Sequence, residues 1–120
     1  MARIIGIDPG SRVTGYGVVD TRADGYGYVD SGVIRTQAGD LPERLAIIFR
    51  DVSELIAGHT PDAMVVEQVF VQKNVDSALK LGQARGAAIC AGVTAGLPVA
   101  EYTPRTVKQA LVGTGSADKA

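Results

Sequence analysis

Two acids in matching settings are the residues best suited to chemistry. Asp8 closes an apolar run, Ile4-Ile5-Gly6-Ile7, and Glu67 closes another, Ala63-Met64-Val65-Val66. Pro9-Gly10 follows Asp8 at once. Pro presets φ for the second position of a tight turn, and Gly tolerates positive φ at the third. Gly6, Gly10, Gly15 and Gly17 flank Asp8, so a bulky charged ligand can approach the backbone there. If the two apolar runs are neighbouring strands, the acids lie about 4.8 Å apart. Carboxylates that close repel unless a cation sits between them. Hard divalent ions such as Mg²⁺ prefer oxygen ligands of this kind. Each acid also has a plainer reading. Asp before Pro-Gly often bonds only its own turn, and a strand-end Glu can simply point to water. The repeated arrangement favours a metal-binding pair.

The elements that must position this pair follow from periodicity. Residues 3–8 and 13–20 read as strands joined by the Pro-Gly turn. Asp24-Gly25 signals a hairpin, and a third strand follows over 26–35. These three make an antiparallel meander. Asp40 and Glu43 have capping-box spacing, with Pro42 in the first turn. Leu41, Leu45, Ile48, Phe49, Val52, Leu55 and Ile56 then form one apolar helical stripe, and Gly58 is expected to end the helix. The run 63–67 lacks alternation, as expected of a central parallel strand buried on both faces. A right-handed crossover through the helix would set it beside the first strand.

A loop over 69–74 carries Phe70 and Lys73. Phe70 either packs beneath the loop or stands out as a wedge that stacks on a nucleic-acid base. A long helix is predicted from 75 to 95, stopping at Gly96. Within it Ala78, Gly82, Gly86 and Cys90 fall at four-residue spacing. Gly inside a helix costs about 1 kcal/mol relative to Ala, so this stripe points to close approach by another backbone. That backbone is either the chain's own sheet or a second copy across a dimer. Residues 98–102 read as a last strand. A short helix follows from Thr103-Pro104 through Leu111, and Ser116 to Lys119 resemble the start of another.

Composition excludes several classes. No apolar run is long enough to span a bilayer, and the first residues lack a signal-peptide pattern. A single cysteine, Cys90, rules out an internal disulfide, fits a reducing cytoplasm and reads as a small core residue. The lone His59 reads as a surface residue near a helix end. Residues 1–68 carry six basic and ten acidic side chains, and residues 69–120 carry six basic and three acidic. The basic second half suits an anionic partner, though weakly.

The order of three meander strands, helix, strand, helix, strand, helix matches the ribonuclease H-like fold, an α/β architecture with a mixed five-stranded sheet. The likeness runs closer than the fold. GIDPGSRVTGYGVV, the segment from DLPERL, VEQVFVQKNVDSALKLGQARG and VKQALVGTGSADK resemble the RuvC family of Holliday-junction resolvases, over essentially the whole chain. That resemblance implies a homodimer that cuts four-way DNA junctions by two-metal phosphodiester hydrolysis, with Mg²⁺ or Mn²⁺ as cofactor. It makes Asp8 and Glu67 metal-binding and catalytic acids, and Lys108 and Lys119 basic residues near the scissile phosphate. It makes Phe70 an aromatic that stacks on junction bases, with Arg12 and Lys73 as further DNA contacts. It gives the helix starting near Val75 the dimer contact, through Ala78, Gly82 and Gly86. It also implies action with the RuvA–RuvB branch-migration motor, in the cytoplasm and away from membranes.

One departure stands against this pattern. The family's third and fourth acids lie in a final helix in an Asp-Ala-x-Asp-type pattern, and after Glu67 this chain has only Asp76, Glu101 and Asp118. Residues 1–120 are therefore expected to form one nuclease domain that stops before the final acidic helix. Two other readings remain open. One is a junction-binding fragment without catalysis. The other is an actin-like ATPase domain, in which a strand–turn–strand with Asp and glycines holds a nucleotide phosphate.

Overall fold

A computed structural model describes residues 2–36, 39–68 and 74–102. Five strands form one sheet in the order β3-β2-β1-β4-β5. The strands β1 (Arg3–Asp8), β2 (Val13–Arg22) and β3 (Gly25–Arg35) form the expected antiparallel meander. The strand β4 (Ala63–Glu67) lies parallel to β1, and β5 (Val99–Tyr102) lies parallel to β4. The helices are α1 (Leu41–His59) and α2 (Val75–Thr94). Among the described residues no helix is long and apolar enough to cross a membrane.

One face of the sheet carries the core. Ile5, Ile7, Val18, Ile34, Met64 and Val66 meet Ile48, Val52 and Ile56 of α1 and Ala84, Ala88 and Ala91 of α2. Strand residues alternate between faces. With Ile5 and Ile7 turned to the helices, Ile4, Gly6 and Asp8 face the other way. By the same alternation Ala63, Val65 and Glu67 face away from the helices on β4. The prediction of a strand buried on both faces is thus met on one. Met64 and Val66 are fully buried, whereas Ala63, Val65 and Glu67 are partly so.

Several local expectations are corrected. In the β2–β3 hairpin, Arg22 pairs with Gly25, so the turn residues are Ala23 and Asp24, both with negative φ. Gly25 follows at φ 133, which places the Asp-Gly pair one residue later than a primed turn would. A register shift between Val18 and Val19 leaves Val29 as the extra residue of a β-bulge. Asp40 caps α1 as expected, accepting a hydrogen bond from the Glu43 N–H at 3.2 Å. Gly58 does not end that helix. It stops at His59, with Thr60 left-handed at φ 49 and its N–H bonded to the Ile56 carbonyl at 2.8 Å. Pro61 explains the position, because the residue before a proline is steered out of the right-handed helical region. Phe49 lies at the exposed margin of the α1 stripe.

His59 is not a free surface residue. Its Nδ1 lies 2.9 Å from the Leu55 carbonyl oxygen and its Nε2 3.0 Å from Asp30 Oδ2. The α2 helix begins with Asn74, whose side chain accepts from the N–H groups of Asp76 and Ser77. It ends as predicted, with Gly96 at φ 82 and the Leu97 N–H bonded to the Gly92 carbonyl.

Candidate strand-end acid site

The parallel β1–β4 ladder decides where the two acids go. Ile4 pairs with Ala63, Ile5 with Met64, Gly6 with Val65 and Ile7 with Val66. Asp8 and Glu67 are the next residue on each strand. They stand side by side at the carboxyl ends of neighbouring strands, on the face turned away from α1 and α2. Across the antiparallel ladder Asp8 pairs with Gly15, and Gly6 with Gly17. All three glycines lie on the same face as Asp8. A Cβ at Gly17 would meet nothing within 4 Å, and one at Gly15 would come no closer than 3.7 Å to the Asp8 Cβ. The acids are therefore approached over a floor of bare backbone.

The turn after Asp8 is tied down from both sides. The Thr14 hydroxyl donates to the Gly10 carbonyl at 2.8 Å and accepts from the Gly10 N–H at 3.2 Å. The Thr36 hydroxyl donates to the Ser11 carbonyl at 2.8 Å, and the Thr36 N–H to the Arg12 carbonyl at 2.8 Å. Both threonines are buried, and Arg12 between them is exposed. Asp8 is exposed and makes no ion pair or side-chain hydrogen bond among the described residues.

The later acids do not join the pair. Glu101 sits beside Val66 in the β4–β5 ladder, so it shares the helix-covered side and forms an ion pair with Arg85. Asp76 pairs with Lys80 at 2.9 Å on the first turns of α2. Among the described residues no group of three metal-ligating side chains forms. Phe70, Lys73, Lys108, Lys119 and Asp118 lie outside the described residues.

The small-residue stripe of α2 faces away from the sheet. The residues that α2 buries are Ala84, Ala88, Ala91 and Gly92, on the opposite side of the helix. Gly82 is exposed, and a Cβ at Gly82 or Gly86 would meet nothing within 4 Å. Cys90 is exposed rather than part of the core, because it falls on that same outward side. The stripe continues into large apolar side chains, with Val75 71%, Leu79 62% and Val93 59% exposed. Of the two readings of the stripe, packing against the chain's own sheet is excluded.

One further group carries only a faint sequence signal. Arg44, on the first turn of α1, is buried at 6% exposure on the core-facing side of the helix. Periodicity alone signals it, since Arg44, Ile48, Val52 and Ile56 are spaced by four.

This mixed sheet, with its acids at neighbouring strand ends, has the ribonuclease H-like fold. Known proteins narrow the class. The family model described as crossover junction endodeoxyribonuclease RuvC matches residues 4–120. The RuvC endonuclease of Alkalilimnicola ehrlichii is 64% identical over 120 residues, covering the whole chain and 73% of that relative. The one from Ectopseudomonas mendocina is 64% identical over 119 residues, covering 99% of the chain and 68% of the relative. Among solved structures, T. thermophilus RuvC in complex with a Holliday junction substrate superposes with a TM-score of 0.81 at 33% identity, covering 91% of this chain and 69% of that one. The chain belongs to the RuvC family of crossover junction endodeoxyribonucleases.

Proposed function

We propose that this chain is a Holliday-junction resolvase that hydrolyses phosphodiester bonds at the Asp8–Glu67 strand ends. The observation that carries the reading is the placement of these acids on adjacent parallel strands, on one face, beside a glycine floor. The donor set fits Mg²⁺ or Mn²⁺, because paired carboxylates offer hard oxygens and need a cation to offset their repulsion. When bound, such ions supply Lewis-acid charge to the scissile phosphate and lower the pKa of a coordinated water.

The residues of the chain do the rest. Asp8 and Glu67 hold the cation site at the strand ends. Arg12, on the tied turn beside Asp8, meets the DNA backbone together with Lys73. Lys108 and Lys119 offset charge at the scissile phosphate, and Phe70 stacks on an unpaired base at the branch. The outward stripe of α2, through Ala78, Gly82 and Gly86, forms a homodimer contact that spaces two such sites for symmetric cutting. Family resemblance supports RuvA–RuvB as the partner motor and the cytoplasm as the place of action. The actin-like reading gives no role to the outward α2 stripe.

The test uses Asp8→Asn and Glu67→Gln, made in this chain and in a chimera carrying the remaining length of the Alkalilimnicola relative. Each substitution should abolish metal-dependent cleavage of a synthetic four-way junction in the chimera. Gel-shift affinity should persist, since lost negative charge does not weaken phosphate contacts. Wild-type cleavage by Glu67→Gln would refute the site.

A further inference from the structure

We infer that Arg44 is a phosphate contact for bound DNA, set on the helix-covered side of the strand ends that carry Asp8 and Glu67. The inference rests on the junction-binding reading above and extends it to a residue on the opposite side of the sheet from the acids.

Topology brings Arg44 to this end. Both β1 and β3 are antiparallel to β2, so β3 finishes at the end where Asp8 lies. Thr36, just after β3, is bonded to the backbone of Ser11 and Arg12. The α1 helix therefore starts beside the Asp8 turn. Arg44 precedes the fully buried Ile48 by four residues, which places it about 6 Å, just over one turn, nearer the strand ends.

The charge of Arg44 is not offset within the described residues. Its Nε is buried without a hydrogen-bond partner, and none of the ion pairs there includes it. Asp20 is engaged by Arg3, Asp30 by His59 and Asp51 by Arg50. Asp40 caps α1 through the Glu43 N–H. Residues 37–38 and 69–73 contain no acid, and residues 103–120 contain one acidic side chain, Asp118. A buried guanidinium N–H without a partner is costly, and an anion that arrives with a ligand removes the cost. Guanidinium presents a planar fork that takes phosphate oxygens two at a time. The anion that the proposed substrate brings to this end is a backbone phosphate. With the exposed Arg12 on the Asp8 turn, Arg44 is a second cation at this end of the sheet.

The experiment compares wild type, Arg44→Met, Arg44→Lys and Asp118→Asn. Affinity for a four-way junction is read by fluorescence anisotropy between 50 and 200 mM salt without divalent ions, and each variant's Tm is measured. Arg44→Met should weaken binding about tenfold and reduce the slope of log K against log salt by about 0.9. Its Tm should match or exceed wild type, since an unpartnered buried N–H is gone. Arg44→Lys should keep the slope. An unchanged slope in Arg44→Met, with normal wild-type binding, would overturn this inference alone. No junction binding by wild type would overturn the functional reading as well. A matched loss of Tm in Arg44→Met and Asp118→Asn would mark an internal ion pair and also overturn it. If Arg44→Met does not fold, the Nε–Hε resonance of Arg44 in the wild-type protein decides. It should shift on adding junction DNA, and a static resonance would count against the contact.

Discussion

Alanine at three glycines of α2 should move stability in opposite directions. Each Gly→Ala in a helix interior gains about 1 kcal/mol of helix propensity. At Gly82 and Gly86 the new methyl meets nothing within 4 Å, so the gain stands unopposed in dilute, monomeric protein. The pair together should add about 2 kcal/mol, or roughly 3–5 °C in Tm for each kcal/mol in a chain of this size. Gly92 is different. A Cβ there would lie 2.7 Å from Met64 Sδ and 3.0 Å from Val99 Cγ2. Met64 is fully buried and has little room to withdraw. Overpacking of that kind costs about 1–3 kcal/mol, so Gly92→Ala should end up to about 2 kcal/mol less stable once the propensity gain is subtracted. Concentration separates the two faces further. If the Gly82–Gly86 stripe is the dimer contact, added methyls hold the partner backbones apart, and the rise of Tm with protein concentration should shrink. Gly82→Leu should leave only monomer in sedimentation experiments. Destabilisation of dilute protein by Gly82→Ala would show that the stripe is covered within one chain. An unchanged dimer in Gly82→Leu would move the contact elsewhere.

Two further outcomes follow from charges around the sheet. The Arg3 guanidinium, hydrogen-bonded to Asp20 at 2.8 and 3.1 Å, holds that carboxyl below its ordinary value. Its contribution is present above the unfolded carboxyl's pKa and is lost as pH falls through the lower folded one. Urea midpoints from pH 6 down to 3 should therefore decline less steeply in Asp20→Asn than in wild type, and equal slopes would show the pair does not couple to folding. Tyr102 pairs with Glu67 in the β4–β5 ladder and so shares the acids' face. Tyr102→Asp should put a third carboxylate in that row and tighten Mn²⁺ binding about tenfold by calorimetry, whereas Glu101→Gln, on the other face, should not change it. Equal affinities for Tyr102→Asp and wild type would mean that position 102 does not reach the ion.

What could be read in the sequence was whatever a short window decides. Five strands and two helices followed from apolar periodicity, and so did the Asp40 cap and the Gly96 stop. Asp8 and Glu67 stood out because each ends an apolar run. What the sequence concealed depends on which side of an element faces the core. The Ala78–Gly82–Gly86–Cys90 stripe and the Ala84–Ala88–Ala91 stripe on α2 are both small and evenly spaced, and composition does not say which one meets Met64 and Val66. Cys90 therefore lies on the exposed side, although its residue type favours the core. Gly58 looked like a helix stop because glycine commonly serves as one, yet Pro61 imposed the break two residues later, at Thr60.

Alternation also explains why a third strand-end acid stays out of the site. The run Pro98-Val99-Ala100-Glu101-Tyr102 repeats the pattern of Ile4–Asp8 and Ala63–Glu67, an apolar stretch that meets an acid near its end. By motif alone Glu101 has nearly the claim that Glu67 has. The ladder denies it by one residue, since Glu67 pairs with Tyr102 and Val66 with Glu101. In a sheet with period two, one residue is a change of face. Glu101 is delivered to the helix side, where Arg85 takes it, while Asp8 and Glu67 are left together on the other. Fifty-nine positions separate those two in the chain, and the parallel pairing of β1 with β4 is what makes them neighbours. Any substitution that slipped β4 by one residue would turn Glu67 toward the helices and Val66 toward the open face. The site thus depends on the same apolar register, Ile5 beside Met64 and Ile7 beside Val66, that holds the core.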